Sequence, residues 1–416
     1  MSDPKKMIKE IKDDNIKNIE VEEEGRPQTD NMIAEPTFEE EYSSNANSVI
    51  HLKLVRDRED IYNDETTFHP LYTHQIFGED ETIVGYKGLR IDVYYVASTL
   101  FPYISMKYDS QMLGRDDKDP IHILTKQKIT WTTHEAIPIG HSFTNIMQEF
   151  ESCFQHLNDN FTPTSLGQHV NTHEVDDRVF EVYRANIESP AAQKYHERVQ
   201  TFVLFFIDAS SYITDDDTRW EVFFVFEKYK NVDKVKYGFV GYTTVYPFYA
   251  YPDTTRVRIS QFLILPSFQR KGIGRRLLQS VYDYGKSINC MEVCVEDPSI
   301  DFQMMRDLTD LENYKQVEKD VESVKFNEQY WKGIRSKLRI NKEQIQRCYD
   351  LLMLEKIRSR KMSEEFVKNF RLFVKARLFR IFDLAHVIQD KNERIKRLDE
   401  LYKEVEEEYI KILDKQ

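Results

Sequence analysis

The clearest chemical signature in the chain is the segment Gln269-Arg270-Lys271-Gly272-Ile273-Gly274, which opens an amphipathic stretch. Glycine lets the backbone approach a ligand closely because it carries no side chain. The first N–H groups of a helix lack intrahelical partners, and with the helix dipole they attract anions. Arg275 and Arg276 add further positive charge. The segment therefore predicts a pyrophosphate-like anion site, with a bare helix N-cap as the alternative.

Two well-known phosphate-binding loops do not fit this segment. A Walker loop requires Gly-Lys-Ser/Thr, which does not follow here. A Rossmann loop carries three glycines and opens a βαβ unit, whereas this segment has two glycines and follows a strand that ends a predicted meander. The segment therefore belongs to neither of these two classes of loop.

The cysteines indicate neither a metal site nor a covalent nucleophile. Cys290 and Cys294 share a C-x-x-x-C spacing, but no other Cys or His lies close in sequence. A zinc site needs three or four such ligands, and a thiol nucleophile needs an adjacent base. We therefore expect no metal and no covalent enzyme intermediate.

The elements that must position these residues form a mixed sheet. Apolar runs at 220–229, 237–245 and 256–265 predict three strands, and 291–296 predicts a fourth. Between the last two, residues 272–286 place Ile, Leu, Val and Tyr on one helical face. The pattern indicates an antiparallel meander followed by a strand-helix-strand crossover.

The whole chain divides into four parts and has an α+β fold class. Residues 1–46 are polar and carry two Glu runs, so we expect a disordered acidic leader. Residues 47–185 predict an N-terminal α+β domain, which includes a helical pattern at 145–157. Residues 186–315 contain the mixed sheet core, and residues 316–416, rich in Lys, Arg, Glu and Leu, predict a C-terminal helical bundle.

Composition limits the classes of partner. The 416 residues have a net charge of -13, which disfavours direct binding to nucleic acid, because phosphate contacts need Lys and Arg. The balance fits a basic partner, or it only keeps the protein soluble. No apolar run is long enough to span a membrane, and the lysine-rich start has no signal-peptide pattern.

Several motifs stand in one order along the chain. The upstream ones are His74-Gln75-Ile76-Phe77-Gly78-Glu79-Asp80-Glu81 and Gly85-Tyr86-Lys87-Gly88-Leu89; the others are Trp220, Val245-Tyr246, Tyr251-Pro252-Asp253, Arg258-Ile259-Ser260-Gln261 and Val295-Glu296-Asp297-Pro298. With Gln-x-x-Gly-x-Gly after a Gln-Phe-Leu-Ile-Leu-Pro strand, this order resembles the type B histone acetyltransferase catalytic subunits of the GNAT superfamily of N-acetyltransferases. The resemblance covers about residues 48–415. It implies a GNAT-type core that binds acetyl-coenzyme A (acetyl-CoA).

The resemblance implies a role for each matching residue around the acetyl-CoA. The backbone of Phe262, Leu263 and Ile264 is expected to pair with the pantetheine amides, and the Leu263 N–H to donate to the thioester oxygen. The pyrophosphate is expected to lie against the residues Gln269, Arg270, Lys271, Gly272, Ile273, Gly274 and Arg275. Ser299 is a further expected cofactor contact.

The acids that the chemistry needs follow from the same comparison. A lysine ammonium, with a pKa near ~10.4, must lose a proton before its nitrogen can attack. We expect Glu296 to be the general base and Asp297 an auxiliary. Because neighbouring strand residues point to opposite faces, both reach one cleft only if the strand ends there. An ordinary acidic strand end is the alternative. Asp208 stands where the resemblance implies a catalytic Glu, and its side chain is one methylene shorter.

The expected substrate surface combines acids and aromatics. Glu79, Asp80 and Glu81 attract basic side chains, and Tyr246 and Phe248 grip backbone and cations. Pro247 stands between the two aromatics where the family often has a polar residue, which could stiffen the strand edge. A solvated acidic loop is the alternative interpretation.

The resemblance implies transfer of acetyl to lysines of the N-terminal tail of newly made histone H4, by direct attack in a ternary complex. It also implies a WD-repeat histone-binding subunit as partner, and a location in nucleus and cytoplasm. Two rivals stay open. One is an acetyltransferase of this fold acting on another protein or a small amine, and the other is a non-catalytic acidic histone carrier.

Overall fold

The computed structural model describes residues 41–112, 120, 123–124, 154–213, 217–231, 233–317, 328–359 and 362–415. Almost all of the predicted leader, and residues 145–153 of the predicted helical segment at 145–157, lie outside this part of the chain. Residues 42–416 form one compact unit. Ordered structure begins earlier than the sequence pattern indicated, because residues 43–45 pair with residues 82–84 as two antiparallel strands.

The N-terminal part contains short helices and small sheets. Its helices are α1 (Ala46–Val49), α2 (Arg58–Tyr62) and α3 (His74–Phe77). Its strands are β1 (Ser43–Asn45), β2 (Ile50–Val55), β3 (Thr82–Val84), β4 (Tyr86–Lys87), β5 (Arg90–Val96), β6 (Pro102–Lys107) and β7 (Ser110–Gln111). β2, β5 and β6 form a three-stranded sheet, while β1 pairs with β3 and β4 with β7.

A six-stranded sheet forms the centre of the molecule. Its strands are β8 (Gln168–Val175), β9 (Arg178–Asn186), β10 (Glu221–Asn231), β11 (Lys234–Ala250), β12 (Thr254–Ile264) and β13 (Val293–Val295). The order is β13-β12-β11-β10-β9-β8, and only the β12–β13 pair is parallel. Helices α4 (Pro190–Val199) and α5 (Val203–Phe206) precede β10, and α6 (Ile273–Ser287) links β12 to β13.

This sheet confirms the predicted GNAT-type mixed core and explains its sequence pattern. Residues 222–226 of β10 are all fully buried, because both faces of the central strands are covered. One stripe of α6, made of Ile273, Leu277, Leu278, Val281 and Tyr282, is buried. A helix with one apolar stripe covers the sheet and leaves its polar side to solvent.

The predicted boundary after residue 185 does not separate two sheets. β8 and β9 lie within the segment assigned to the N-terminal domain, yet they extend the core sheet beyond β10. β9 buries four consecutive residues, Phe180 to Tyr183, whereas β8 has no buried residue. Their local sequence does not specify which sheet they join.

The C-terminal part is helical, as the sequence indicated. Its helices are α7 (Ile300–Val317), α8 (Glu328–Leu338), α9 (Lys342–Ser359), α10 (Glu364–Ile381), α11 (Leu384–Val387) and α12 (Lys391–Leu413). Leu398, Leu401 and Val405 recur at helical spacing on α12, and all three pack against the core. None of the helices in the described ranges is both long and apolar enough to cross a bilayer.

Buried ion pairs join these helices to each other, and a buried hydrogen bond joins them to α6. Asp307 on α7 accepts from Arg347 Nε on α9 at 2.6 Å, and Asp350 on α9 pairs with an arginine of α10. Asp310 accepts from the Tyr282 hydroxyl on α6 at 3.0 Å, and burial raises the pKa of this carboxyl to about 6. The network fixes the helical region to the sheet layer.

Candidate active site

The last two strands of the sheet separate at the place where the predicted site residues meet. β12 pairs with β13 only from Val257 to Ile259, whereas it pairs with β11 as far as Ile264. The Glu296 N–H donates to the Ile259 carbonyl at 3.0 Å, just past the last register pair. Beyond Ile259, one edge of β12 is therefore left without a neighbouring strand, and we call it the open edge.

A bulge in β12 sets which peptide groups turn toward the open edge. Thr244 of β11 lies opposite both Ser260 and Gln261. Its hydroxyl accepts from the Gln261 N–H at 3.0 Å, and the Thr243 hydroxyl donates to the Gln261 carbonyl at 2.7 Å. A bulge of this kind shifts the alternation of the strand by one residue and often adjoins an active site.

The shifted alternation changes the expected donor at this edge. The Leu265 N–H donates to the Val240 carbonyl of β11 at 2.9 Å. Because alternate residues face the same neighbouring strand, the Leu263 peptide also faces β11, and the peptides of Phe262 and Ile264 face the open edge. Leu263 N–H therefore does not point where the resemblance required it. Phe262 and Ile264 instead direct their peptide N–H and C=O groups toward the open edge.

The predicted anion loop begins α6 as expected. Gly272 is the N-cap, with φ of 77°, and no side chain caps the N–H groups that follow it. A side chain at Gly272 would meet open space, so the left-handed backbone is the reason for glycine. A Cβ at Gly274 would lie 2.7 Å from Met305 Sδ on α7, so that methionine side chain would have to shift.

The polar residues of this loop are held by neighbouring groups. Gln269 Nε2 donates to the Ile264 carbonyl at 2.8 Å, which fixes the loop to the end of β12. Arg270 pairs with Asp301 at 3.0 Å, and both side chains are about two-thirds exposed. Lys271 donates to a backbone carbonyl, and Arg275 pairs with Glu312. Bound anions would compete with these surface acids for the arginines.

Glu296 lies at the mouth of the opening between β12 and β13. Its side chain is 42% exposed, one oxygen accepts from the Ser260 hydroxyl at 2.8 Å, and the other lies 3.5 Å from Arg258 Nη1. The strand ends at Val295, and Asp297 adopts φ of 35°. The turn that would let both acids reach one cleft is therefore present.

Ser299 lies just beyond this turn and serves as a helix cap. Its hydroxyl accepts from the Phe302 N–H at 3.2 Å at the start of α7. Phe302 in turn contacts Phe262 of the open edge, with ring centroids 4.9 Å apart. Ser299 therefore orients the helix that covers this edge, and its predicted contact with the cofactor stays a prediction.

Asp208 is linked to the N-terminal part through a histidine. His74 Nε2 lies 3.3 Å from Asp208, which is 65% exposed on its side chain. The Gln261 amide donates to the Ser211 carbonyl at 2.9 Å, so the segment after Asp208 contacts the β12 bulge. The contact places the segment after Asp208 at the bulge, and a cleft shared by Asp208 and Glu296 stays a prediction.

Glu81 accepts several hydrogen bonds within the N-terminal part, which the sequence did not reveal. Its carboxylate accepts from the N–H groups of Thr73 and His74, at 2.6 and 3.1 Å, and from the Asn47 amide at 2.6 Å. These bonds, the Thr73 one above all, hold the pKa of Glu81 below its ordinary value. Exposed Glu79 and Asp80 are the acids of this turn that stay open to a basic ligand.

The predicted aromatic surface lies on the free edge of β11. β10 ends its pairing at Val245, so Pro247 costs no hydrogen bond on that side. Tyr246 contacts the Trp220 ring at 4.8 Å, and its hydroxyl donates to Asp217 at 2.6 Å. Phe248 lies within 6 Å of two arginine guanidiniums of β12. A cation-binding aromatic row therefore runs beside Glu296.

The comparisons with known proteins agree with this geometry. Residues 42–208 match the family described as "Histone acetyl transferase HAT1 N-terminus", and residues 187–302 match the "Acetyltransferase (GNAT) family". The histone acetyltransferase type B catalytic subunit of Rattus norvegicus is 36% identical over 351 residues, which cover 81% of this chain and 80% of that protein. The Homo sapiens protein gives the same values, and a Dictyostelium discoideum relative is 33% identical over 366 residues, covering 80% and 76%.

The chain belongs to the type B histone acetyltransferase catalytic subunits. It is an acetyltransferase that modifies histones with acetyl-CoA. The family assignment selects this function over the two rivals that the sequence left open.

The site of this histone acetyltransferase fits acetyl-CoA in two observed features. The open edge offers peptide groups that an amide chain can pair with, as an added strand would. The uncapped start of α6 offers N–H groups and a dipole for the pyrophosphate. When bound, acetyl-CoA supplies the activated acetyl thioester. Within the described residues, no group of three or more His, Cys, Asp or Glu side chains converges as a metal site would.

Three contributors were missed by sequence reasoning. Ser260 and Arg258 hold the Glu296 carboxylate, and Thr244 forms the bulge. The motif Arg258-Ile259-Ser260-Gln261 was noted only as a match to the family. Its contact with a residue 36 positions later depends on the parallel register of β12 and β13, which no local pattern specifies.

Proposed function

We propose that this enzyme acetylates lysine side chains in the N-terminal tail of histone H4, by direct attack in a ternary complex with Glu296 as general base. The observation that supports it best is the position of the Glu296 carboxylate. It lies partly exposed where β12 and β13 separate, between the open edge and the aromatic row. A base at this place can reach an amine that enters from the aromatic side.

The chemistry assigned to Glu296 is removal of a proton from the lysine ammonium. The neutral nitrogen then attacks the acetyl carbonyl carbon, the C–S bond breaks, and the nitrogen loses its second proton, so that the amide forms and the departing thiolate takes up a proton to leave as the free thiol of coenzyme A. The Ser260 hydroxyl, 2.8 Å from the carboxylate, limits the rotation of the Glu296 side chain. Restricting a base to a productive geometry lowers the entropic part of the barrier. Asp297 and Asp208 act as auxiliary acids that draw the ammonium toward the cleft.

The acceptor surface proposed for the tail combines three parts. Exposed Glu79 and Asp80 face basic side chains, while Tyr246 and Phe248 bind backbone and cations. Pro247 keeps the intervening backbone extended. These features favour a flexible basic peptide over a compact small amine.

The test of the base is the variant Glu296→Gln, which keeps the size of the side chain and removes its basicity. We expect kcat on a histone H4 tail peptide to fall by ~10²-fold or more, as for loss of a general base, with little change in acetyl-CoA affinity. Steady-state kinetics and calorimetric titration of acetyl-CoA measure the two quantities. The control is Glu188→Gln, an exposed glutamate before α4. Unchanged turnover in Glu296→Gln would remove this residue from the mechanism.

The proposed acceptor is tested separately with a panel of substrates. We expect kcat/KM for the histone H4 tail peptide to exceed that for other histone tails and for a polyamine. Equal values for tail peptide and polyamine would contradict the substrate proposal while leaving the base intact.

We extend the proposal to the partner and the location. A WD-repeat histone-binding subunit is the proposed partner, and nucleus and cytoplasm are the proposed locations. Both rest on the family to which the chain belongs. Co-expression with such a subunit followed by size-exclusion chromatography tests the first, since separate elution would contradict it. Imaging of the tagged chain in cells tests the second, and signal confined to another organelle would contradict it.

A further inference from the structure

β13 ends one residue before Glu296. The C-terminal helical region contacts the edge of β13 that faces away from β12. β13 has only three residues, and its pairing with β12 is short. On the opposite edge, the Val293 N–H donates to the Arg339 carbonyl at 2.6 Å, and Val293 forms a parallel bridge with Ile340. The segment 339–340 therefore acts as a further strand that closes this edge of the sheet.

The side chain of Arg339 adds a second set of bonds to the same strand. Its Nη1 donates to the Cys290 carbonyl at 2.6 Å, and its Nη2 donates to the Asn289 side chain. Both partners lie in the turn between α6 and β13. Arg339 adopts a left-handed φ of 58° directly after α8. A non-glycine residue in this conformation carries strain, which persists only where the surroundings fix it.

Two further arginines hold the residues next to these bonds. Arg335 of α8 pairs with Glu292 at 2.9 Å, and Glu292 also pairs with Arg256 of β12 at 2.7 Å. Arg306 of α7 donates to the Val293 carbonyl at 3.3 Å. Glu292 and Arg306 are almost fully buried, so these contacts exclude water. β13 is thus fixed on both edges within four residues of Glu296.

From these contacts we infer that Arg339 is a positioning residue, which holds β13 in register and thereby places the Glu296 carboxylate. The inference rests on the role proposed for Glu296. Arg339 acts through the strand, because its bonds go to the backbone and to Asn289. A misplacement of about 1 Å at a reacting group can cost ~10²-fold in rate. The helical region therefore has a part in catalysis besides stability.

The test is a double-mutant cycle between Arg339→Gly and Glu296→Gln. Glycine accepts the left-handed backbone without strain and keeps the carbonyl that binds Val293 N–H, so the variant removes the guanidinium alone. We expect kcat to fall by ~10-fold in the wild-type background and by less than ~2-fold in Glu296→Gln, because groups that act as a unit are non-additive. The KM for acetyl-CoA is expected to stay within about 2-fold.

Further variants separate positioning from a loss of folding. Arg339→Lys keeps a donor within reach of the Cys290 carbonyl, so kcat is expected to recover at least in part. Arg358→Ala removes an exposed arginine that pairs with Asp414 and is expected to leave turnover unchanged. Equal losses from Arg339→Gly in both backgrounds would overturn the inference while Glu296 remains the base. Full activity of Glu296→Gln would overturn the base and the inference together.

Discussion

His196 of α4 is a buried histidine whose pKa makes the stability of the folded enzyme depend on pH. It is fully buried, and neither ring nitrogen has a hydrogen-bond partner among the residues that the structure describes. Its ring lies 5.9 Å from that of Tyr242, whose hydroxyl donates to Gln261 at the bulge. Burial lowers the pKa of His196 from 6.5 to about 3. The folded protein therefore keeps this imidazole neutral in mildly acidic solution.

A pH dependence of stability follows from that difference. Below pH 6.5 the unfolded chain binds a proton at His196 that the folded chain does not, so stability is lost as pH falls toward 3. In His196→Leu this loss is absent. We expect the free energy of unfolding of the variant, relative to wild type, to rise by ~2 kcal/mol between pH 7 and pH 5. Urea unfolding at several pH values measures the difference.

The comparison with wild type isolates this histidine from other groups. Asp310 has a raised pKa and changes stability in the opposite direction, but it does so equally in both proteins. His156→Leu removes an exposed imidazole and is the matched control for the substitution itself. Parallel pH curves for wild type and His196→Leu would show that His196 is protonated in the folded state.

At this scale, sequence reasoning found groups that lie in local patterns and missed those made by distant contacts. Glu296 was predicted from the resemblance, together with its place at a strand end near the glycine-containing loop. The hydrogen bonds that Glu81 accepts from the Thr73 and His74 N–H groups were not predicted, since they depend on the path of the turn. The Leu263 N–H, which the resemblance implied as a donor to the thioester, faces β11 in the observed register, and a resemblance between sequences does not specify that register.

At the scale of elements, the pairing of β11 with β12 determines the open edge. Gly241 lies opposite Ile264, and a Cβ at Gly241 would lie 2.4 Å from the Leu263 carbonyl oxygen and 3.0 Å from Ile264 Cα. Both atoms belong to the backbone, which cannot move aside without displacing β12. The glycine therefore permits the close approach of the two strands.

Gly241→Ala is expected to destabilise the fold and to weaken acetyl-CoA binding together. Overpacking of this kind costs about 1–3 kcal/mol in the free energy of unfolding. Because the displaced strand carries the outward peptides of Phe262 and Ile264, we expect the KM for acetyl-CoA to rise as well. Thermal unfolding and steady-state kinetics measure the two effects.

The control lies on the same strand. A Cβ at Gly238 would meet only the side chains of Arg56 and Tyr229, at 3.6 Å or more. Gly238→Ala is therefore expected to change neither quantity appreciably. Equal behaviour of the two variants would show that the close approach at Gly241 is unimportant.

Most elements of the core were predicted from sequence to within a few residues, but their partners were not. The predicted strand at 256–265 is β12, and the predicted helix at 272–286 is α6. The predicted strand at 291–296 is shorter, because Glu296 and Asp297 turn away from the sheet. The added pairing of Val293 with Ile340 joins residues 47 positions apart, and an isolated bridge leaves no periodic signal.

At the scale of the whole molecule, charge connects the enzyme to its substrate. The chain has 71 acidic residues against 58 Lys and Arg, a net charge of -13. The acids are not confined to the site, since many form ion pairs within the helical region. The exposed pair Glu79 and Asp80 and the exposed Asp208 nevertheless lie on elements that adjoin the site. A basic peptide approaching this side meets a field of opposite sign.

This charge predicts that ionic strength affects the association of the enzyme with its substrate and not the chemical step. At saturating acetyl-CoA, we expect kcat/KM for a lysine-rich tail peptide to fall ~3–10-fold as ionic strength rises from about 0.02 to 0.3 M, because screening shortens the range of attraction. The kcat itself is expected to change little, because screening acts on the approach of the peptide and not on groups already in contact. The double variant Glu79→Gln, Asp80→Asn removes two exposed charges and is expected to flatten the salt dependence. Its matched control, Glu188→Gln, lies outside this surface and is expected to keep the wild-type slope. A kcat/KM that is insensitive to salt for wild type would show that the acidic surface takes no part in capturing the substrate.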